Sequence, residues 1–331
     1  MNTHHPLTLF ILKGLHDYDG SQKVSSGLRN SSAFVVEMLL REGQRAKLAD
    51  AIDGNCIDRI VTLERPARVV IEALWVTPAK MRELKQLHPE IRWTVRIHSE
   101  IPFLANEGIA VEWIAEYMAI GVEVAFNSSQ SAEDFALLGP VEYLPNYYPL
   151  RKPRTRKAAT ADLHVGCFGA IRPLKNQLIQ AFAAVKYAEI CGKHLIFHMN
   201  QGRIEQLGES NLKNIEALII VSGNELVQHP WMGHEEFLET VACMDVCLQV
   251  SLSESFNIVS ADVVSIGVPL VGSESIRWLP TRSKAKPDSV ESIVAAMGRA
   301  GETSIEMNHV ALEQYLARTV KRWNDWLGVA Q

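Results

Sequence analysis

The sequence predicts an α/β chain made of two similar halves, each a parallel sheet covered by helices on both faces. Three observations predict it. Short apolar runs alternate with longer amphipathic ones through the first half, a proline-containing basic stretch at 149–162 interrupts them, and the alternation then restarts. Strands separated by helices do not pair as hairpins, so crossover connections and parallel pairing are expected.

In the first half, "LTLFIL" (7–12), "RVVIEAL" (68–74), "WTVRIH" (93–98), "VEVAFN" (122–127) and "VEYLPN" (141–146) read as strands. "SAFVVEMLLREG" (32–43) and "AKMRELKQL" (79–87) carry helical apolar spacing, and the first stops at a glycine. "PLRKPRTRKAATAD" (149–162) holds five basic residues in the seven from Arg151 to Lys157 and reads as a solvated linker, or as a loop facing an anion.

Beyond it, "LHVGCFG" (163–169), "HLIFHMN" (194–200), "ALIIVSG" (217–223), "DVCLQVS" (245–251) and "PLVGS" (269–273) read as strands. "NQLIQAFAAVKYAEICG" (176–192), "HEEFLETVACM" (234–244) and "NIVSADVVSIG" (257–267) read as helices. A last amphipathic helix, "ALEQYLARTVKRWNDWLG" (311–328), puts Trp323 and Trp326 on or near one face. The expected domains are 1–150, a linker at 151–162, and 163–310, with residues 311–331 packing back on the first domain. Two Rossmann-like α/β/α domains of this kind bind ligands in an interdomain cleft, at the carboxyl ends of the strands.

Composition narrows the functional classes. The 331 residues are 47% hydrophobic and 21% charged, the profile of a soluble globular chain. Net charge is −5, with 14 basic against 19 acidic residues in 1–150 and 19 against 19 thereafter. There is no overall basic field to recruit nucleic acid. Five scattered cysteines form no CxxC and read as reduced thiols, which favours a cytoplasmic location, or the host cytoplasm for a phage-encoded chain. No run approaches the roughly 20 apolar residues of a membrane helix.

The chemistry concentrates in "SLSESFNIVSADVVSIGVPLVGS" (251–273). A strand enters a turn at "SESF", and a helix follows until Gly267 and Pro269 end it. The first N–H groups of that helix, around Phe256, Asn257 and Ile258, lack internal partners and carry the positive end of its dipole, which suits a phosphate. Glu254 lies just before this point and Asp262 eight residues on, roughly 12 Å apart if the whole span were helical. By spacing alone the two acids are either hydroxyl acceptors at the two ends of a nucleoside diphosphate sugar or ordinary solvent-facing acids.

The ordered combination of this segment with "VGCFGAIRPLKN" (165–176) and "VEVAFNSSQSAEDFALLG" followed by "VEYLPNYY" resembles retaining glycosyltransferases of the GT-B fold, especially family four. In that family a Glu-x7-Glu pair precedes Gly-x-Pro and two hydrophobic residues, and Gly-Arg-x4-Lys follows the first strand of the second domain. The resemblance implies that Lys175, joined by Arg172, neutralises the diphosphate leaving group, that Glu254 binds donor-sugar hydroxyls and that Asp262 binds the ribose. It implies backbone contacts to the diphosphate from Phe256, Asn257 and Ile258, and a donor-binding role for Gly169. His98, at the end of "WTVRIH", is expected to face the donor sugar, with Glu100 nearby. Gly27 and Arg29, in the polar segment 16–34, are candidates for the diphosphate and acceptor loop. Two departures stand out: Asp262 replaces a Glu, and Ala170 stands where the family has Arg, with Arg172 as a candidate substitute.

No Asp-x-Asp cluster is present, so neither a metal nor a cofactor is expected, and the helix dipole and Lys175 take the cation's role. The expected partners are a nucleotide sugar and an acceptor. Saccharides or cell-envelope precursors rank first, a hydroxymethylated base in DNA second because of the basic run at 151–157, and a small metabolite stays open. A non-catalytic nucleotide-sugar binder and a GT-B epimerase are alternatives of other classes.

Overall fold

The computed structural model describes residues 5–14, 27–154, 161–205 and 207–329. The chain forms two compact units, Met1–Pro149 with Leu316–Gln331, and Leu150–Tyr315. The first contains strands β1 (Thr8–Lys13), β2 (Ala46–Ala51), β3 (Arg68–Glu72), β4 (Arg92–Ile97), β5 (Glu123–Phe126) and β6 (Val141–Tyr143), in the order β2-β1-β3-β4-β5-β6. The second contains β7 (Leu163–Gly166), β8 (Leu195–Asn200), β9 (Glu225–His229), β10 (Val246–Gln249), β11 (Leu270–Ser273) and β12 (Lys284–Ala285), in the order β12-β11-β10-β7-β8-β9. Every pairing is parallel.

Burial explains why the strands read as unbroken apolar runs. Val69, Val70 and Ile71 of β3 are all buried, as expected where helices cover both faces of a sheet. The connections change direction between β1 and β3 in one unit and between β7 and β10 in the other. Such switch points open a crevice at the carboxyl ends of the strands.

Residues 217–223 are not a strand; they close the helix Gly208–Val221. Ile215 and Ile219 face the core one turn apart, whereas Ile220 and Val221 are exposed. The run "LIIV" is too short for periodicity to separate strand from helix. The edge strand of that region is β9, "ELVQH", which is only partly buried and less apolar.

The final helix, Glu302–Leu327, starts earlier than its periodicity suggested, and its residues from Leu316 onward belong to the first unit. Trp323 is fully buried against Phe10 with ring centroids 5.7 Å apart, and its Nε1 donates to Pro145 O at 2.9 Å. The helix ends against two arginines from neighbouring strands: Arg92 donates to Trp326 O at 3.2 Å and Arg68 to Leu327 O at 3.1 Å. These cations satisfy carbonyls that the helix itself leaves without partners.

Candidate functional site

In the second unit the candidate residues gather at the carboxyl ends of β7 and β10. The loop after β7 passes through Gly169, whose φ of +119° is unfavourable for an L side chain, and whose N–H donates to Asn200 Oδ1 at 2.9 Å. The turn Pro173–Lys175 then ends at Asn176, in the left-handed region at φ 58°. The Asn176 amide donates to Val250 O at 3.0 Å and Pro287 O at 2.7 Å, while Leu252 N–H donates to Leu174 O at 2.9 Å. Gln180 completes the clamp, donating to Lys175 O at 2.8 Å and accepting from Val250 N–H at 2.8 Å. The loop carrying Lys175 is thereby fastened to the loop leaving β10. Lys175 Nζ reaches Glu254 Oε1 at 2.6 Å.

The helix Ile258–Ser265 begins immediately beyond. Asn257 is its N-cap: the backbone is left-handed at φ 61°, and Oδ1 accepts from Ser260 N–H at 2.8 Å. Its Nδ2 donates to Gln249 Oε1 at 3.0 Å, and Gln249 in turn donates to Phe168 O at 2.9 Å. The cap is thus tied to both central strands, and the N–H groups of Ile258 and Val259 are left outside the intrahelical ladder. Phe256 is fully packed, its ring stacked on Tyr315 and its carbonyl accepting from Trp278 Nε1 at 2.8 Å, so a ligand could meet only its backbone.

Because the helix starts only at Ile258, the 12 Å estimate for the two acids does not apply; half of their separation lies in the bend before it. Asp262 is 3% exposed, and its Oδ1 lies 2.6 Å from His234 Nε2, at the start of the helix His234–Val241. Arg172 Nη1 donates to Glu205 Oε2 at 3.2 Å, a carboxylate that Arg203 also holds at 2.5 Å, so the cation joined to Glu254 is Lys175. Cys167 is buried, and burial pushes its thiol up to about 12, against a smaller opposing pull from Lys175.

In the first unit, a buried network occupies the ends of β3 and β4. Arg96, fully buried, donates to both carboxylate oxygens of Glu72 at 3.1 Å, to Leu144 O at 2.8 Å and to Asn146 Oδ1 at 2.5 Å. Burial alone would push the Glu72 carboxyl up, but Arg96 and His98 outweigh it and hold the group below its ordinary value. His98 Nε2 donates to Glu72 in a short contact, and Nδ1 faces the Asn127 amide at 3.3 Å. Burial first, then the Arg96 charge, pushes the imidazole down, against an opposing pull from Glu72. Both ring nitrogens of His98 therefore have partners inside this unit. Glu100 accepts from Ser131 Oγ at 2.7 Å. Gly27 opens the helix Gly27–Arg41, and Arg29 is paired with Asp50 at the end of β2. Residues 15–26 of the polar segment lie outside the described residues.

The basic run is partly committed. Arg154 pairs with Glu235 at 2.7 Å and Glu239 at 3.7 Å, and Arg151 with Glu235 at 3.4 Å; residues 155–160 lie outside the described residues. Among the described residues, no group of three or more His, Cys, Asp or Glu is placed to hold a metal ion, and no helix is long and apolar enough to cross a membrane.

No protein-family model matches the chain, and no curated protein matches its sequence. Solved structures do. Sucrose-phosphate synthase from Thermosynechococcus elongatus is similar with a TM-score of 0.72 at 13% identity, over 99% of this chain and 100% of that one. HepE from Anabaena, in complex with UDP-glucose, has a TM-score of 0.71 at 12% identity, over 98% and 100%. A UDP-forming trehalose-phosphate synthase from Burkholderia xenovorans has a TM-score of 0.65 at 11% identity, over 98% and 97%.

The chain has the GT-B fold.

At this level of identity the agreement is one of architecture, two six-stranded parallel sheets with helices on their faces. In the GT-B frame the residues missed by the sequence reading are Asn176, Gln180, Gln249 and His234. Three are amides, whose only sequence signal was their position within or beside buried apolar runs. His234 opens a helix that had been read for its apolar spacing alone.

Proposed function

We propose that this chain is a metal-independent retaining glycosyltransferase of the family-four kind, moving a hexosyl or pentosyl group from a UDP- or GDP-sugar to a hydroxyl of a saccharide or cell-envelope precursor. The observation that carries the reading is the Lys175–Glu254 contact of 2.6 Å beside the N-terminus of the helix Ile258–Ser265. A cation, an acid and a set of outward N–H groups meet at a sheet switch point, which is what a sugar diphosphate needs. Lys175 and the N–H groups of Ile258 and Val259 stabilise charge developing on the leaving diphosphate, the largest electrostatic demand of glycosyl transfer. Glu254 accepts from donor-sugar hydroxyls with the added strength of a charged acceptor. Asp262 serves the ribose.

The similarity to proteins whose structures hold UDP or UDP-glucose supports a uridine donor. The pairing of Arg151 and Arg154 with the exposed Glu235 and Glu239 sets acids beside the basic run, which weighs against a phosphate backbone there and favours a saccharide acceptor over DNA. The test is to incubate the protein with labelled UDP- and GDP-sugars, offering oligosaccharides and hydroxymethylated DNA in parallel. Labelled saccharide with retained anomeric configuration, formed in the presence of EDTA, is the expected result. Label on DNA would replace the acceptor. Interconversion of the donor sugar would indicate an epimerase, and binding without turnover a non-catalytic binder.

A further inference from the structure

We infer that Arg203 reads the nucleobase of the donor, and that its guanidinium selects a base with a carbonyl at the edge remote from the ribose, uracil or guanine, over one with an amino group there. The inference rests on the donor-site reading above and deepens it. Arg203 lies in the loop that leaves β8, and that loop is bonded to the one carrying Lys175. Ile171 N–H donates to Arg203 O at 2.9 Å, and Glu205 N–H donates to Ile171 O at 2.9 Å. Trp231 lies between the end of β9 and His234, whose Nε2 is 2.6 Å from Asp262 Oδ1. A nucleotide with its diphosphate at Ile258 and its ribose at Asp262 therefore carries its base toward the connection that holds Trp231.

Arg203 is held there on three sides. Besides the backbone bond, its Nε donates to Glu205 Oε1 at 2.5 Å, a carboxylate whose other oxygen accepts from Arg172 at 3.2 Å. Its guanidinium carbon lies 5.3 Å from the centroid of the Trp231 ring. Nε and one face of the plane are thus committed, while among the described residues neither Nη group has a hydrogen-bond partner, and the side chain is 44% exposed. A long side chain so held has already given up much of the freedom that binding would otherwise cost. What remains is a planar fork of N–H donors, fixed in direction. A guanidinium donates and cannot accept. Uracil and guanine offer it a carbonyl oxygen far from the ribose, whereas cytosine and adenine offer an amino group, a second donor. A base of the latter kind sets donor against donor and forfeits the bond.

The test is calorimetry with UDP, CDP, GDP and ADP on wild type, Arg203→Ala and Arg203→Met, with circular dichroism to check folding. The Met side chain keeps a long apolar stem against Trp231 but carries no donor, so it separates reading of the base from packing on the indole. Wild type is expected to prefer UDP to CDP, or GDP to ADP, by about tenfold or more. Both variants should erase that preference by weakening the carbonyl-bearing nucleotide. Equal binding of all four nucleotides by wild type, a preference kept in either variant, or a loss that falls equally on both members of a pair would each overturn the inference while the donor site stood. If wild type bound none of the four, the donor-site reading itself would fall, and this inference with it.

Discussion

Lys175 Nζ donates to Glu254 Oε1 at 2.6 Å, and both side chains are largely shielded from solvent. The pair spans two loops that backbone and amide hydrogen bonds already tie together, so it is positioned before any ligand arrives. On the proposed donor-site reading, a diphosphate entering this site would have to compete with Glu254 for the lysine, and a sugar hydroxyl would then replace the lysine on the acid.

Lys175→Ala should lower turnover by about a hundredfold or more, the usual scale for removing one group that stabilises developing charge. Single-turnover kinetics with a UDP- or GDP-sugar would show it in the chemical step. Turnover near the wild-type value would move the role to Arg172 despite its engagement with Glu205.

Glu254→Gln keeps the shape but removes the charge. Transfer should fall at least tenfold while affinity for the bare nucleoside diphosphate does not fall, because bonds to hydroxyls lose their charge assistance whereas Lys175, released from its acid, keeps its phosphate contact. Asp262→Asn should do the opposite, weakening nucleotide binding by about 1.5–3 kcal/mol as charge-assisted bonds to the ribose are lost. Calorimetry on the nucleotide beside transfer rates separates the two.

UDP or GDP should raise the melting temperature by mass action, and EDTA should leave that shift unchanged. A shift abolished by EDTA and restored by a divalent cation would overturn the metal-free reading.

Glu72→Gln should destabilise the first unit by about 3–5 kcal/mol, since it strips the charged partner from a fully buried Arg96. Urea unfolding would measure it. A much smaller loss would mean that Asn146 and Leu144 O alone satisfy the guanidinium.

A pH dependence follows from a row of histidines on β7, β8 and β9. His198 lies between His164, at 3.0 Å, and His229, at 2.9 Å. Burial first, then the charges on His229 and His164, push its pKa down to about 4 from 6.5. Between those values the unfolded chain takes up a proton that the native chain refuses. Stability that is whole above pH 6.5 is therefore lost as the pH falls toward 4. Melting temperatures across this window should fall for wild type and fall less steeply for His198→Gln.

The sequence made the sheets legible because parallel strands buried on both faces leave continuous apolar runs, as in β1 and β3. It hid β2, "AKLADA", an edge strand with partly exposed residues, and it disguised the end of the helix Gly208–Val221 as a strand. Lys175, Glu254 and Asn257 could be singled out because charged or polar residues at a strand–turn–helix junction have a chemical reason to be there. The clamp of Asn176, Gln180 and Gln249 could not: each is a polar residue made acceptable in the interior by at least one backbone partner distant in sequence. Likewise the Asp262–His234 contact joins residues 28 apart, and nothing local in either segment announces the other.

The last turns of the helix Glu302–Leu327 carry a consequence for biosynthesis. Trp323 and Trp326 fill the cluster around Phe10, Val35, Val36 and Leu39, yet they are translated only after the whole of residues 150–315. At roughly 5–20 residues per second, the ribosome takes about ten to thirty seconds to cover that interval. During it the nascent first unit lacks the indoles that complete one side of its sheet and presents Phe10 and its neighbours uncovered. Chaperone engagement is therefore expected to persist on the first unit until residues beyond about 320 have left the exit tunnel, which is not before the whole second unit has emerged.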